Sequence, residues 1–132
     1  MFKEINIRQV EKEEREGLNQ DLQWLSDSLG LSSPRDKEKS CFRIFLELVK
    51  AKKEDRLISS DEIAFNSHLT RGTVIHHLNK LGDRGLIITY RKRYTLSSKN
   101  IQSLMSEIES NINSTMKDLK EIAKKIDKEL GL

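Results

Sequence analysis

The segment from Thr70 to Leu96 constrains the fold of this 132-residue chain more than any other part of it. Thr70 belongs to the residue types that cap helix N-termini, and Gly85 belongs to the type that most often ends a helix. Between them, apolar residues recur with the i, i+4, i+7 spacing of one buried helix face, at Val74, Leu78 and Leu81. The segment therefore predicts an amphipathic helix from about residue 70 to 84.

The residues after Gly85 predict a two-stranded β-hairpin. Leu86 to Tyr90 and Tyr94 to Leu96 are rich in β-branched and aromatic residues, which favour strands, and Arg91, Lys92 and Arg93 lie between them. From residue 71 to 93 there are six cations and one anion, so this segment carries +5 in a chain whose total is +3. A local excess of positive charge of this kind attracts a phosphate backbone.

Two further helices are predicted before this segment. Leu18, Leu22, Leu25 and Leu29 form one stripe of a first helix, which the charged run 11–16 precedes and Gly30 ends. Ser33-Pro34 is typical of the start of a second helix. That helix is the most hydrophobic segment of the chain, and its predicted buried residues are Cys41, Phe42, Phe45, Leu46, Leu48 and Val49.

A short helix and a short N-terminal strand complete the part before residue 70. Ser59 with Glu62 three residues later matches a capping box and predicts a short helix with Ile63 and Ala64 inside and Phe65 as a further candidate. Residues 66–70 form the turn to the next helix. Ile5 and Ile7 alternate with polar residues and suggest a short strand.

The C-terminal residues predict a long helix capped by Ser97 or Ser98. Its apolar residues alternate by three and four, a heptad pattern that weakens at Thr115 and Glu129. At about 1.5 Å per residue the helix would be roughly 45 Å long, longer than the core it leaves. A second copy of the chain or the first helix would have to cover its stripe. The predicted dimerisation residues are Met105, Ile108, Ile112, Leu119, Ile122 and Ile126.

Composition limits the class of protein. Charged residues make up 34% of the chain, and no apolar run approaches the roughly 20 residues of a membrane span. The single Cys41 excludes an intramolecular disulfide and indicates a reducing compartment, so we expect a cytoplasmic protein. No phosphate-binding glycine loop, nucleophile motif, metal cluster or pair of catalytic carboxylates stands out. We therefore expect no enzyme activity, cofactor or metal.

The order helix, short helix, turn, helix, hairpin is that of a winged helix-turn-helix. Residues 71–81, RGTVIHHLNKL, followed by Gly85-Leu86-Ile87, resemble prokaryotic winged-helix regulators of the ArsR and MarR type, closest to archaeal members. The resemblance covers about residues 34–98. It implies a mainly α fold with a small β-hairpin, in which residues 1–30 form an N-terminal helix region, 31–98 the DNA-binding domain and 99–132 a dimerisation helix. Wings of this family often turn through Gly, Asn or Asp, whereas this hairpin turns through cations.

This resemblance and the polar face of the helix from 70 to 84 together predict a sequence-specific regulator that binds double-stranded DNA as a homodimer, on an inverted repeat. The helix would enter the major groove and the hairpin would contact the backbone or the minor groove. The alternatives are a protein-interaction module in a larger assembly and a non-specific nucleic-acid binder. An effector is not indicated. The predicted DNA-binding residues are Arg71, Gly72, Thr73, His76, Asn79, Lys80, Arg91, Lys92 and Arg93.

Overall fold

The computed structural model describes residues 3–12, 17–33 and 35–132. This part of the chain is mainly helical, with one small antiparallel sheet and a long C-terminal helix. The elements follow one another as α1 (Leu18–Ser28), α2 (Ser40–Lys53), β1 (Ile58–Ser59), α3 (Ser60–Ser67), α4 (Arg71–Asp83), β2 (Ile87–Tyr90), β3 (Arg93–Leu96) and α5 (Ile101–Leu130). None of the helices in these residues is long and apolar enough to cross a membrane.

Helix α2 is the centre of the hydrophobic core and packs against α3, α4 and β3. The residues that it buries recur every three or four positions and so share one face: Cys41, Ile44, Phe45, Leu48 and Ala51. The predicted set was partly wrong, because Phe42, Leu46 and Val49 flank this face and are only half-buried. Ile44, which the sequence did not single out, is completely buried.

Helix α2 begins at Ser40, six residues later than the position after Ser33 that the sequence favoured. Pro34 itself lies outside the described residues. The physical reason for the late start is Asp36, whose Oδ1 accepts from the Ser40 backbone N–H at 2.9 Å and whose Oδ2 accepts from that of Cys41 at 3.0 Å. These two donors belong to the first turn, where the helix offers no internal acceptors.

Helices α3 and α4 begin at the predicted caps. The Ser59 hydroxyl accepts from the Glu62 N–H at 3.1 Å, and that of Thr70 accepts from the Thr73 N–H at 3.2 Å. The three predicted buried residues of α4 are at most 1% exposed. Gly85 follows α4 with φ +71°, which glycine adopts without strain, and the Leu86 N–H closes the end of the helix on the Leu81 carbonyl. The prediction for Phe65 was wrong, because its side chain is 82% exposed.

The sheet has three strands in the order β1-β3-β2, one more than the hairpin that the sequence predicts. In the hairpin, Ile87 pairs with Leu96 and Tyr90 with Arg93. The additional strand, β1, contains only Ile58 and Ser59 and pairs with Tyr94 and Arg93 of β3. Two residues are too few to show an alternating pattern, so this strand could not be predicted from the sequence.

The N-terminal region packs onto the end of α4. Residues 3–10 form no strand, contrary to the expectation for Ile5 and Ile7. The N–H groups of Lys3 and Glu4 both donate to the Asp83 carbonyl, at 2.9 and 3.2 Å. In α1, Leu22 is buried and Leu29 follows the helix as a buried residue, whereas Leu18 is exposed. The predicted charged start of α1 lies largely outside the described residues, because 13–16 are not among them.

Arg84 joins the C-terminal end of α4 to the C-terminal end of α1. It is only 9% exposed, and its guanidinium donates to the carbonyls of Leu29 at 3.2 Å and Gly30 at 2.6 Å. Glu4 lies 3.9 Å away from the same guanidinium. Backbone carbonyls at the end of a helix lack internal partners, so Arg84 satisfies two of them with charge-assisted hydrogen bonds.

Helix α5 has 30 residues, as predicted, but it is capped by Asn100 rather than by Ser97 or Ser98. The Asn100 side chain accepts from the Ser103 N–H at 2.8 Å. The first three turns pack on the domain, with Leu104 and Ile108 buried and Met105 and Ile112 half-buried. From residue 113 onward every residue is exposed. Half of the predicted dimerisation set is thus packed against the core of its own chain.

Candidate nucleic-acid interface

One face of α4 is polar and open to solvent because the opposite face holds Val74, Leu78 and Leu81 in the core. Of the residues predicted on this face, Thr73 and Lys80 are half-buried. The others are exposed and lie on successive turns: Arg71, Gly72, His76 and Asn79. A helix with a polar outer face of this kind can enter the major groove of B-DNA, whose width admits an α-helix.

Arg71 and Thr73 differ in how free they are to meet a ligand. The Arg71 side chain is 72% exposed, and its Nε lies 3.6 Å from Oδ1 of the equally exposed Asp61. An exposed pair of this kind is weak and salt-sensitive, so it does not withhold the guanidinium from a phosphate or a base. The Thr73 hydroxyl, in contrast, contacts the Thr70 hydroxyl at 2.9 Å, and its N–H is held by the same cap.

No contact in the described part of the chain explains the presence of Gly72 in α4. A Cβ added there would meet nothing within 4 Å among these residues. In a helix interior glycine is less favourable than alanine by about 1 kcal/mol, and by less near the start of a helix. Internal packing therefore gives no reason for this residue, whereas close approach of another backbone would give one.

The hairpin tip is a two-residue turn formed by Arg91 and Lys92. The sequence placed Arg93 in the turn as well, but Arg93 is the first residue of β3. Arg91 and Lys92 have φ of +49° and +63°, as a type I′ turn requires at both central positions. Side chains with a Cβ are strained there, and Asn-Gly is the preferred pair. All three cations are exposed, and the Arg91 guanidinium lies 5.3 Å from the centre of the Tyr90 ring.

A groove of about 680 Å³ runs between α4 and the segment that leads into α2. Its α4 side includes Thr73, His76 and Lys80, and on its other side the cations Arg35 and Lys37 alternate with the carboxylates Asp36 and Glu38. The sequence analysis did not single out these two exposed cations. The only sequence signal for them was the net charge of +6 over residues 31–98, which does not say where the cations lie.

His76 and His77 have different environments although they are adjacent. His76 is exposed, whereas His77 is half-buried and its Nδ1 is buried without a hydrogen-bond partner among the described residues. Burial lowers the pKa of His77 below the ordinary 6.5, against the attraction of Asp36, and nearby His76 and Lys80 lower it further. His77 is thus mainly neutral at pH 7, and His76 is the more exposed of the two histidines in the groove lining.

Arg84 does not belong to the candidate interface, although it contributes to the charge counted along the sequence. Because it is buried and bonded to the end of α1, it leaves five cations between residues 71 and 93 on or near the surface. Cys41 is also buried, and burial raises the pKa of its thiol to about 11. This thiol therefore behaves as a small apolar group of the core.

Comparisons of the chain with models of protein families, with curated proteins and with solved structures found no match. Its function must therefore be inferred from the arrangement of its own residues. The exposed face of α4, the groove and the hairpin tip all lie between residues 33 and 96. Hydrogen-bond donors and positive charge are their common chemistry, and both are suited to an anionic polymer.

The two hydrogen bonds that Asp36 accepts at the start of α2 lead to a first prediction, because their contribution to the stability of the fold depends on pH. Burial alone would raise the pKa of this carboxyl, but the N–H groups of Cys41 and Ser40, with His77 nearby, lower it below the ordinary 3.8. A lowered pKa means that the ionised carboxylate stabilises the fold above pH 3.8 and that this stabilisation is lost as the pH falls further. Asp36→Ala should lower the free energy of unfolding by about 1 kcal/mol at pH 6.

Urea denaturation at pH 6 and at pH 3 measures this difference between Asp36→Ala and the parent chain. The difference should shrink at pH 3, because the parent then loses the same charge. Glu38→Ala is the matched control, since Glu38 is an exposed carboxylate of the same segment and should change stability little at either pH. A difference of equal size at both values would show that the carboxylate charge is not what caps α2.

Proposed function

We propose that this chain is a winged helix-turn-helix transcription regulator that binds specific sequences of double-stranded DNA as a homodimer. In this assignment α3 and α4 are the helix-turn-helix, α4 is the recognition helix in the major groove, and the β2–β3 hairpin is the wing on the backbone or in the minor groove. The observation that carries the proposal is the exposed polar face of α4 together with a following hairpin whose two-residue tip consists of cations.

The roles of the residues follow from their exposure and their position along α4. N-terminal residues of a recognition helix usually contact base edges. Arg71, in the first turn and largely exposed, is suited to guanine O6 and N7, and His76 is suited to a base one turn later. Asn79 and Lys80 lie farther along and are suited to phosphates. Gly72 would let the helix approach the DNA closely, which the empty space around it supports.

The hydroxyl of Thr73 contributes less than the sequence suggested, because it already contacts Thr70 at 2.9 Å. Across the groove, the exposed Arg35 and Lys37 would contact the backbone beside the recognition helix, although Asp36 and Glu38 balance their charge. Phosphate contacts fix the position of a protein on DNA, and base contacts provide the specificity. The proposal thus assigns specificity to α4 and most of the electrostatic affinity to the wing and the groove.

A homodimer is supported by the exposed half of α5. A two-fold dimer would place two copies of α4 on one duplex, so the operator would be an inverted repeat with half-sites about one helical turn apart. A dimer with about four phosphate contacts per subunit would show a log–log salt dependence with a slope near −7.

Selection of bound fragments from a random pool of duplex DNA tests this function. An inverted repeat should be recovered, and Arg71→Ala or His76→Ala should weaken binding to it by about 5- to 150-fold per half-site, the range expected for a lost base contact. Lys117→Ala is the control, because this cation lies on the exposed half of α5, away from α4. Both variants should fold as the parent does, since the side chains they truncate are exposed.

Two other results would overturn the assignment. Equal affinity for unrelated sequences would identify a non-specific nucleic-acid binder. The absence of binding at low ionic strength, with the dimer intact, would favour a protein-interaction module, which the 82% exposure of Phe65 on α3 supports as the second candidate. In that case Phe65→Ala, and not Arg71→Ala, would abolish partner binding.

A further inference from the structure

The second half of α5 presents an apolar stripe that nothing in the described part of the chain covers. Its members are between 45% and 68% exposed: Met116, Leu119, Ile122, Ile126 and Leu130. Most of the stability of a helix in a protein comes from packing its apolar face. The stripe therefore requires a partner, and the proposed homodimer supplies a second copy of α5.

The stripe is wider than that of a simple two-stranded coiled coil. With Leu119 and Ile126 at a positions and Ile122 at d, the e positions hold Met116, Ala123 and Leu130, which are apolar. The charged residues that border the seam are then the g residues, Asp118 and Lys125. They have opposite charge and lie seven residues apart, and this determines which pairing of two identical helices is favourable.

We infer that two copies of α5 pair in antiparallel orientation, with Leu119 of one chain opposite Ile122 of the other. This inference rests on the homodimer of the proposed function and adds its orientation and register. In an antiparallel coiled coil g residues face g residues, so this register places Asp118 beside the partner's Lys125 and Lys125 beside the partner's Asp118. Both charge pairs on the g side of the coil are then complementary, while Met116 of one chain and Ala123 of the other face each other on the e side.

The neighbouring antiparallel registers are unfavourable for the same reason. A shift of seven residues in one direction would bring Lys125 against the partner's Lys125. A shift in the other direction would bring Asp118 against the partner's Asp118. Like charges that face each other destabilise a coil, so the two g residues select one register by attraction and reject both neighbours by repulsion.

A parallel pairing gains nothing from these charges. Parallel coils bring g residues beside e residues of the partner, and here the e residues are Met116, Ala123 and Leu130. A parallel pairing would also place Glu129, which occupies a d position, against its own copy. The charged residues of α5 thus disfavour the parallel arrangement and favour the antiparallel one.

A small apolar groove at the base of the exposed half supports the same orientation. Its volume is about 250 Å³, and it is formed by Ile5 and Ile7 of the N-terminal segment with Ile112, Thr115, Met116 and Leu119 of α5. In the inferred register the partner's Ile126 lies opposite Thr115, and its Leu130 lies one turn farther along. The C-terminal end of one helix would therefore fill the groove of the other chain and cover Ile7, which is 53% exposed.

The antiparallel pairing also sets the distance between the two globular parts. The dimer axis would cross α5 midway between residues 120 and 121. At about 1.5 Å per residue, Ile108 of one chain would lie about 38 Å from that of the other along the coil. Half-sites one helical turn apart are separated by about 34–36 Å. The coil thus has the length that separates two DNA-binding domains by one turn of duplex.

Spin labels on the full chain measure the orientation without DNA. In a Cys41→Ala background, single labels are placed at Lys120→Cys and Lys128→Cys, both exposed and outside the seam. In the antiparallel register the two labels at 120 are offset by about 2 Å along the coil, and those at 128 by about 23 Å. The distance at 128 should therefore clearly exceed that at 120, whereas a parallel dimer would give similar distances at both positions and would overturn the inference.

Charge reversal tests the register. Asp118→Lys and Lys125→Asp should each raise the dissociation constant of the dimer about 3- to 10-fold, and the double variant should restore it, because the partners then exchange signs. Additive losses in the double variant would contradict the register, since residues 118 and 125 of one helix are too far apart to interact. If the parent chain were monomeric, both this inference and the homodimer of the proposed function would be wrong. If only the DNA selection failed, the spin-label and charge-reversal results for the dimer would be unchanged.

Discussion

Replacement of Arg84 by methionine should lower the free energy of unfolding by about 3 kcal/mol, because hydrogen bonds from a charged group contribute about 1.5–3 kcal/mol each. The guanidinium donates to the carbonyls of Leu29 and Gly30, and both are buried positions. Methionine preserves much of the side-chain volume but leaves these two acceptors without a donor. The loss should therefore reflect hydrogen bonding rather than a cavity.

Urea denaturation of the full chain measures this loss. Arg56→Met is the matched control, because Arg56 pairs with Glu54 and Glu62 at the surface and its removal should change stability much less. Arg84→Lys should recover only part of the loss, since an ammonium cannot reproduce the planar fork of the guanidinium. Unchanged stability in Arg84→Met would show that the ends of α1 and α4 are held together by other contacts.

The second prediction concerns the wing tip, where stability and DNA affinity should change in opposite directions. The double variant Arg91→Asn, Lys92→Gly places the preferred residues of a type I′ turn at the two positive φ angles. It should raise the free energy of unfolding by about 1–2 kcal/mol, because glycine lacks the Cβ that costs about that much in this region and asparagine adopts it more readily than arginine. The proposed dimer would at the same time lose four phosphate contacts.

Titration of the selected operator at several salt concentrations measures the second effect. The slope of log affinity against log salt should fall by about 4, and the affinity at 0.15 M salt by about a hundredfold or more. Lys117→Gln with Lys124→Gln is the control, because it removes the same net charge from exposed positions of α5. A stabilised variant that binds DNA as tightly as the parent would show that the wing does not contact the duplex.

The backbone of the hairpin tip is strained at Arg91 and Lys92, whose φ angles are positive. Among the described residues, only the contact of Arg91 with the Tyr90 ring involves a cation at the hairpin tip, where both side chains are exposed. Strained backbone positions tend to persist at sites where the residue has a function. The pair Arg91-Lys92 is less favourable for folding than Asn-Gly, so its presence supports a role for the charge.

The sequence allowed α3, α4 and the hairpin to be predicted well because their signals are local. Ser59 and Thr70 lie next to the N–H groups that they cap, and Val74, Leu78 and Leu81 share a face through helix periodicity alone. The polar residues of α4 could be named for the same reason, because they remain on its outer face once the buried face is fixed.

The features that the sequence did not reveal depend on contacts between distant residues. Arg84 was counted as part of the positive surface, but it bonds to carbonyls 54 and 55 residues earlier. Strand β1 exists only because Ile58 and Ser59 lie beside β3. Arg35 and Lys37 reach the candidate interface because α2 starts late and its leading segment runs along α4. None of these contacts leaves a periodic pattern in the sequence.

Helix α5 runs without interruption from the core, at Leu104 and Ile108, to its exposed end, and it contains neither glycine nor proline. In the proposed dimer this continuity would leave no joint at which the two DNA-binding domains swivel independently. Each base pair added between the half-sites rotates one of them by roughly 35° about the duplex, because a turn holds about 10–10.5 base pairs. An unjointed coil resists such twisting, so the regulator would tolerate only a narrow range of operator spacings.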